Sequence, residues 1–140
     1  MNTATDASPL PSGGVQLVDS AQLGPWLARS HGKLRRYLVD LSDCRDKAGV
    51  MAALAATLPL PAEFGANWDA LADSLRDLVL AGPAAGTALV LAHADGLRVA
   101  APADFDRLLA VLDDACAFAD AQQHRLLACV GLECLEPPRP

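Results

Sequence analysis

The most regular pattern in the chain is a run of apolar residues that follows Asn67. These residues recur at intervals of three and four, as on one face of an α-helix: Trp68, Leu71, Leu75, Leu78 and Val79. Asn67 is a favoured N-cap residue, and Gly65 shortly before it is typical of a turn. The pattern therefore predicts a helix from about Trp68 to about Val79.

A second periodicity follows a different face of the same helix. Asp69, Asp73 and Asp77 are spaced by four residues, and Arg76 stands between the last two. A solvated acidic face is the simpler interpretation, and Asp69 in the first turn interacts favourably with the helix dipole. However, like charges at this spacing cost about 0.2–0.5 kcal/mol per pair, and the spacing occurs twice in this helix. A face that departs from a local stability rule is a candidate binding surface.

Three further apolar segments have the length and composition of strands: Lys33–Leu41, Ala88–Ala92 and Arg125–Leu132. Besides the helix after Asn67, helices are predicted at about 46–58 and about 103–122, and His93–Leu97 is predicted to turn outward. Buried strands that alternate with helices predict an α/β fold in which a small parallel sheet has right-handed crossovers and packed helices.

The remaining segments lie near the two ends of the chain. Residues 1–14 are rich in Ser, Thr, Pro and Gly and are predicted to be flexible, and residues 133–140 form a Pro-rich tail. Val15–Val18 has the pattern of a short strand, and Ala21–Ala28 that of a helix with a proline near its first turn. We interpret residues 15–32 as an N-terminal elaboration of the domain at 33–132.

Length and composition indicate one folded domain with an acidic character. The chain has 140 residues, of which 52% are hydrophobic and 20% charged, and this balance is typical of a folded protein. The net charge of −6 argues against nucleic acid or an anionic membrane as the partner, because cationic patches bind phosphate groups. The same charge favours a basic partner.

The sequence carries no pattern for secretion or for membrane insertion. Its first residues lack a basic region followed by an apolar one, and the longest uncharged run, Leu78–Ala92, is short and interrupted by glycine and proline. We therefore expect a cytoplasmic protein. The cysteines have neither metal-binding nor disulfide-scaffold spacing and are expected to be small buried hydrophobic residues: Cys44, Cys116, Cys129 and Cys134.

No residue pattern indicates catalysis, a metal or a cofactor. Asp40, Asp43 and Asp46 lack the glycine and the closing glutamate of a calcium loop, so helix capping and a solvated turn are favoured. Asp113 and Asp114 are adjacent on a predicted helix and point about 100° apart, which disfavours joint acid–base chemistry on one substrate. We therefore expect neither enzymatic activity nor a cofactor.

The run from Leu60 to Leu75 resembles the signature of the barstar family, which comprises intracellular protein inhibitors of secreted microbial ribonucleases. The resemblance rests on the ordered match Phe-Gly-x-Asn-Trp-Asp-Ala-Leu, at residues 64–71, and extends over about Lys33–Leu132. It implies a barstar-like fold with a three-stranded parallel sheet and packed helices, in agreement with the residue pattern. It also implies that the chain is an immunity protein or antitoxin whose partner is a basic secreted or toxin ribonuclease. We expect the protein itself to be a monomer.

The resemblance further implies roles for individual residues. Asp73 matches the family's central acid, which enters the phosphate site of the nuclease, and Asp69 matches a second acid on the same helix. Gly65, Asn67 and Trp68 match the loop and the helix start along the family's interface. For Trp68, packing in the core is at least as simple an interpretation as contact with the partner, and for Gly65 a backbone requirement is simpler than a contact.

A peripheral acid of the family matches Asp114 on the last helix, and Asp113 is the alternative. Arg76 and Asp77 complete the predicted set of partner-binding residues.

The chain departs from the family at positions that are often aromatic. Glu63 and Ala72 replace aromatic residues, and Asp77 and Leu78 stand where barstar itself has Gly and Trp. Aromatic anchors supply much of the energy of an interface, so these departures favour a nuclease unlike barnase, such as a toxin domain. The alternative function is that of a barstar-like protein-interaction module with no nuclease partner.

Overall fold

The computed structural model describes residues 15–25, 34–60, 65–83 and 85–133. Within these residues, four strands form one parallel sheet: β1 (Val15–Asp19), β2 (Arg35–Asp40), β3 (Thr87–Ala92) and β4 (Leu126–Leu132). Their order across the sheet is β1-β4-β3-β2. The predicted α/β class with a parallel sheet is therefore confirmed.

The described helices are α1 (Lys47–Thr57), α2 (Trp68–Ala81), α3 (Asp95–Ala100) and α4 (Pro102–Ala121), and a 3-10 turn occupies Ser20–Gln22. Three of these helices begin where the sequence predicts a start. Asp46 caps α1 by accepting a hydrogen bond from the Gly49 N–H at 2.9 Å, and Pro102 lies in the first turn of α4.

The sheet has four strands, and the prediction of a three-stranded sheet is wrong in this respect. The segment predicted as a short strand at Val15–Val18 joins the sheet as β1, parallel to β4, with Val15 opposite Ala128 and Asp19 opposite Leu132. Without β1, the backbone groups along the outer side of β4 would form an open edge, which is a liability for a folded protein. The N-terminal elaboration thus makes β4 a central strand, and β1 becomes the edge strand on that side.

The position of β2 also differs from expectation. β2 was predicted to be a buried strand, but it is an edge strand: Val39 is buried in the core and Tyr37 partly buried, whereas Leu38 is 57% exposed. The two central strands, β3 and β4, are buried along their whole length, as predicted for Ala88–Ala92. Apolar composition identifies a strand but does not distinguish an edge strand from a central one.

The segment after β3 forms a helix where an outward turn was predicted. Asp95–Ala100 makes up α3, and Leu97 is fully buried. Asp95-Gly96 is a common turn sequence, but here burial of Leu97 in the core outweighs that local preference.

Two hydrophobic clusters hold the helices and the N-terminal segment against opposite faces of the sheet. The larger cluster joins one face to α1, α2, α3 and α4, with fully buried residues that include Leu71, Leu75, Leu89, Leu108 and Leu112. The smaller cluster lies on the other face and comprises Leu23, Ala88, Val90, Ala92, Leu127 and Cys129. Cys44, Cys116 and Cys129 are buried thiols, as expected.

Several predictions fall on residues outside the described ranges. These are the flexible segment 1–14, the last part of the predicted helix 21–28, Glu63 with Phe64, and residues 134–140 of the tail. In the part of the chain that is described, no helix combines the length and the apolar character needed to cross a membrane.

Besides the pairing of β1 with β4, the N-terminal segment contacts the sheet where Leu23 packs over Gly131. A Cβ atom added at Gly131 would lie 2.7 Å from Cδ1 and 3.2 Å from Cγ of Leu23. Glycine in the middle of β4 therefore provides the space in which the Leu23 side chain packs.

We predict that Leu23→Ala lowers the free energy of unfolding by about 2 kcal/mol because it removes a buried leucine side chain. Gly131→Ala alone should cost about 1–3 kcal/mol through overpacking. In the double variant the methyl group added at residue 131 occupies the space that the Leu23 side chain leaves. The overpacking cost of Gly131→Ala should therefore largely disappear. Urea denaturation of the four proteins measures this coupling, and strictly additive costs would contradict the contact.

Candidate protein-binding surface

The start of α2 is held by a network of local hydrogen bonds. Asn67 Oδ1 accepts a hydrogen bond from the Ala70 N–H at 2.8 Å, which confirms the predicted N-cap, and Asn67 Nδ2 donates to the Gly65 carbonyl at 3.4 Å. A Cβ atom at Gly65 would lie 3.1 Å from Asn67 Nδ2. Glycine at this position therefore leaves room for the capping side chain.

One face of α2 packs into the core and determines the orientation of the helix. Leu71, Leu75, Leu78 and Val79 are buried, as the apolar periodicity predicts. Trp68 is half-buried and packs against the same cluster. Part of its indole surface consequently belongs to the core, and the rest remains accessible at the start of the helix.

The aspartates of α2 lie on its exposed side. Asp69, Asp73 and Asp77 are all exposed, and none of them forms an ion pair with another residue of the described ranges. Their mutual repulsion is therefore not relieved by neighbouring cations in that part of the structure. We call these three residues the acid row.

Arg76 does not pair with the acid row, although it lies next to Asp77 in sequence. Its guanidinium carbon lies 5.3 Å from the centroid of the Phe118 ring on α4. This is the geometry of a cation–π interaction, which favours an arginine over an aromatic face. Arg76 thus links α2 to α4 and forms no ion pair with the acid row.

The contact between Arg76 and Phe118 also identifies the side of α4 that faces α2. Asp114 lies four residues before Phe118 and shares its side of the helix, whereas Asp113 points about 100° away. Both aspartates are exposed. Of the two candidates for the peripheral acid, Asp114 is therefore the one on the α2 side.

Three departures from the family pattern lie on α2 itself, namely Ala72, Leu78 and the exposed Asp77. Leu78 is only 7% exposed and is part of the core, and Ala72 is half-buried and packs against the same cluster. Neither side chain can act as a large exposed anchor. The exposed side of α2 is consequently dominated by carboxylates.

Two of the three aspartates that were compared with a calcium loop, Asp40 and Asp46, have structural roles. Asp40 accepts a hydrogen bond from the Ser42 N–H at 2.9 Å, and this bond holds the pKa of its carboxyl below the ordinary value. Asp46 caps α1, as described above. No group of three potential metal ligands occurs among the residues that the structure describes.

A polar cluster at the carboxyl edge of the sheet was not predicted. His93 Nδ1 lies 3.0 Å from Glu133 Oε2, and Asp95 Oδ1 accepts a hydrogen bond from the Glu133 N–H at 2.7 Å. Arg45 Nη1 donates to the Ser42 carbonyl at 2.8 Å. The two contacts to Glu133 join segments about forty residues apart, and no local pattern could have brought them together. They connect the residues that follow β3 with the residue that follows β4.

A groove beside α2 was not predicted either. It has a volume of about 450 Å³ and is lined by Arg35, Pro59, Ser74, Asp77, Leu78 and Ala81. Asp77 belongs both to the acid row and to this groove, which we call the α2 groove. The spacing of Ser74, Asp77, Leu78 and Ala81 on one side of the helix is visible in the sequence, but the opposing Arg35 and Pro59 come from other elements.

Comparison with known proteins adds one finding. A family model described as "Barstar (barnase inhibitor)" matches residues 34–130. The matched region runs from the residue before β2 into β4 and includes all of α2, whereas β1 and the 3-10 turn lie outside it. No curated protein matches the chain.

We predict that Asn67→Ala lowers the free energy of unfolding by about 1 kcal/mol, because the Ala70 N–H loses its acceptor at the helix start. Asn67→Asp is the matched control, since aspartate keeps the acceptor and its charge suits the helix N-terminus. Urea denaturation measures both changes. Equal destabilisation by the two substitutions would show that the cap is not the cause.

Proposed function

Because this chain belongs to the barstar family, we propose that it is a protein inhibitor of a microbial ribonuclease, with an immunity or antitoxin function in the cytoplasm. In this proposal α2 occupies the cationic cleft in which the ribonuclease binds RNA phosphates. Steric occlusion blocks the substrate, so the inhibitor itself needs no catalytic group, metal or cofactor.

The observation that carries this proposal is the exposed acid row, which forms no ion pair among the residues that the structure describes. Asp69 and Asp73 point to solvent from a helix that is anchored by four buried side chains, and their nearest cation in sequence, Arg76, stacks on Phe118. A rigid row of carboxylates can present negative charge at sites that otherwise bind phosphate groups. The net charge of −6 accelerates the encounter with a basic partner.

Within this proposal each predicted residue has a defined place. Asp73 is the central acid and enters the phosphate site, with Asp69 as the second acid of the same row. Asn67 and Gly65 shape the loop at the start of α2, and the accessible part of Trp68 contacts the partner there. Arg76 keeps α2 and α4 together and thereby positions both acidic surfaces.

The partner that we infer is a ribonuclease other than a barnase-like enzyme. The buried Leu78 and the small Ala72 offer no aromatic anchor, and such anchors often supply the largest contributions to binding. Asp77 instead extends the acid row by one turn. A toxin ribonuclease with an extended cationic cleft fits this surface better than one that needs aromatic contacts.

We predict that the full chain abolishes the activity of its cognate basic ribonuclease at a ratio of one to one, and that Asp73→Ala weakens the complex by about 2–5 kcal/mol. This is the usual cost when one partner of a buried interfacial charge pair is removed, and barnase–barstar is itself one of the complexes that define this range. A fluorogenic RNA substrate measures inhibition, and calorimetry measures affinity. The test set comprises a barnase-type enzyme, other basic microbial ribonucleases and any ribonuclease encoded beside this protein.

Asp106→Asn is the matched control for Asp73→Ala, because Asp106 is an exposed aspartate that lies near Leu17 of β1, away from α2. It should leave inhibition unchanged. If no ribonuclease in the set loses activity, the proposal is wrong and a barstar-like interaction module without a nuclease partner is the better description. If Asp73→Ala and Asp106→Asn have the same small effect, the assignment of the central acid is wrong.

A separate prediction distinguishes the two acids of α4. Asp114→Asn should reduce the affinity for the ribonuclease by about 0.2–1 kcal/mol, mainly through slower association, because a charge at the rim of an interface is partly screened by solvent. Asp113→Asn should leave the association rate nearly unchanged, since this side chain points away from α2. Stopped-flow association at two salt concentrations measures both, and a larger effect of Asp113→Asn would reverse the assignment.

A further inference from the structure

The α2 groove has the features of a binding subsite. Its volume of about 450 Å³ lies within the range of about 300–1,000 Å³ that is usual for ligand sites in proteins. Apolar surface is supplied by Pro59, Leu78 and Ala81. The groove borders the acid row through Asp77, so a molecule bound to the row can also enter the groove.

Ser74 is a polar residue in an unusual position on this wall. It lies on the partly buried side of α2 and is only 8% exposed, yet it lines the groove. Because Ser74 lines the groove, its hydroxyl group can exchange a hydrogen bond with a ligand bound there.

Opposite charges lie on the two sides of the same groove. Asp77 and Arg35 are both described and exposed, and they do not form an ion pair with each other. The carboxylate and the guanidinium therefore do not neutralise each other in a direct ion pair, and Ser74, Pro59 and Leu78 line the same groove. A ligand that carries a cation at one end and an anion at the other would complement both.

We propose that the α2 groove binds an arginine side chain of the partner ribonuclease from a segment that also carries an acidic group. The guanidinium pairs with Asp77 and donates to the Ser74 hydroxyl, and its aliphatic part lies on Leu78 and Pro59. The neighbouring acidic group of the same segment pairs with Arg35. Arginine fits better than lysine because its planar group donates several hydrogen bonds in fixed directions and its stem packs on apolar surface.

This inference rests on the proposed ribonuclease partner, and it adds a contact beside the phosphate site that Asp73 enters. The acid row would bind a feature that ribonucleases share, namely a cationic phosphate site. The α2 groove instead recognises one particular arrangement of charges on the partner's surface. It is therefore a determinant of which ribonuclease the inhibitor accepts.

The test uses the full-length protein labelled with ¹⁵N and the probe Nα-acetyl-L-arginine, which carries both a guanidinium and a carboxylate. Titration followed by NMR should show saturable shifts at the amides of Arg35, Ser74, Asp77 and Leu78. Asp77→Asn should weaken binding about tenfold, as expected for the loss of a charged hydrogen-bond partner. Asp106→Asn on α4 is the matched control, because this exposed aspartate lies outside both the groove and the acid row, and it should leave binding unchanged.

Two analogues of the probe separate its charges. Nα-acetyl-citrulline lacks the cation, and Nα-acetyl-arginine amide lacks the carboxylate, so each should bind more weakly than the probe. Arg35→Glu should abolish the preference for the probe over its amide. The inference is overturned if the shifts are absent, if they are the same in Asp77→Asn, or if the citrulline analogue binds as well as the probe.

The same variant distinguishes this inference from the proposed function. With a ribonuclease that the protein inhibits, Asp77→Asn should weaken the complex about tenfold while inhibition at saturating concentration stays complete. If inhibition depends on Asp73 but the probe does not bind, the groove proposal fails and the proposed function remains. If the probe binds in the groove but no ribonuclease is inhibited, the proposed function fails and the groove remains an arginine-binding site.

Discussion

The packing of α2 against the sheet controls the geometry of the whole candidate surface. Leu71 and Leu75 are fully buried beneath the helix, and Leu78 and Val79 continue the same face. A helix has about 3.6 residues per turn, so once these positions are buried, residues spaced by four on the other side must point to solvent. The direction of Asp69 and Asp73 is therefore a consequence of core packing.

This arrangement has a cost that the rest of the fold must offset. Two like-charge pairs at a spacing of four destabilise an isolated helix by about 0.2–0.5 kcal/mol each. Arg76 could relieve part of this repulsion, but it stacks on Phe118 and stabilises the contact between α2 and α4. The large hydrophobic cluster thus supports a surface that is locally unfavourable, as is common at binding sites.

The N-terminal segment is structurally continuous with the sheet, although the family match begins only at residue 34. β1 pairs with β4 along five residues, and Leu23 packs over Gly131 on the face opposite α2. One face of the sheet therefore supports α2 with its acid row, while Leu23 of the added segment packs on the other face and β1 pairs with β4.

Local patterns in the sequence were sufficient for α2 and for most of the other elements. Asn67 before an apolar periodicity correctly predicts the cap, the start of the helix and its buried face, because hydrogen bonding and periodicity depend on residues close in the chain. The same argument correctly predicts the exposed positions of the acid row. The strands β3 and β4 were recognisable because each is a continuous apolar run.

Only the tertiary structure determined how these elements meet. The sequence did not show that β1 would pair with β4 or that β2 would be an edge strand, since strand order depends on distant segments. Nor did it show that α3 would form in place of a turn, because the burial of Leu97 depends on distant segments too. It also did not show that Arg76 would stack on Phe118 or that Arg35 and Pro59 would face Ser74 and Asp77 across a groove. Periodicity specifies which side of an element is buried, but the neighbours on that side and beside it are set by the packing of the whole chain.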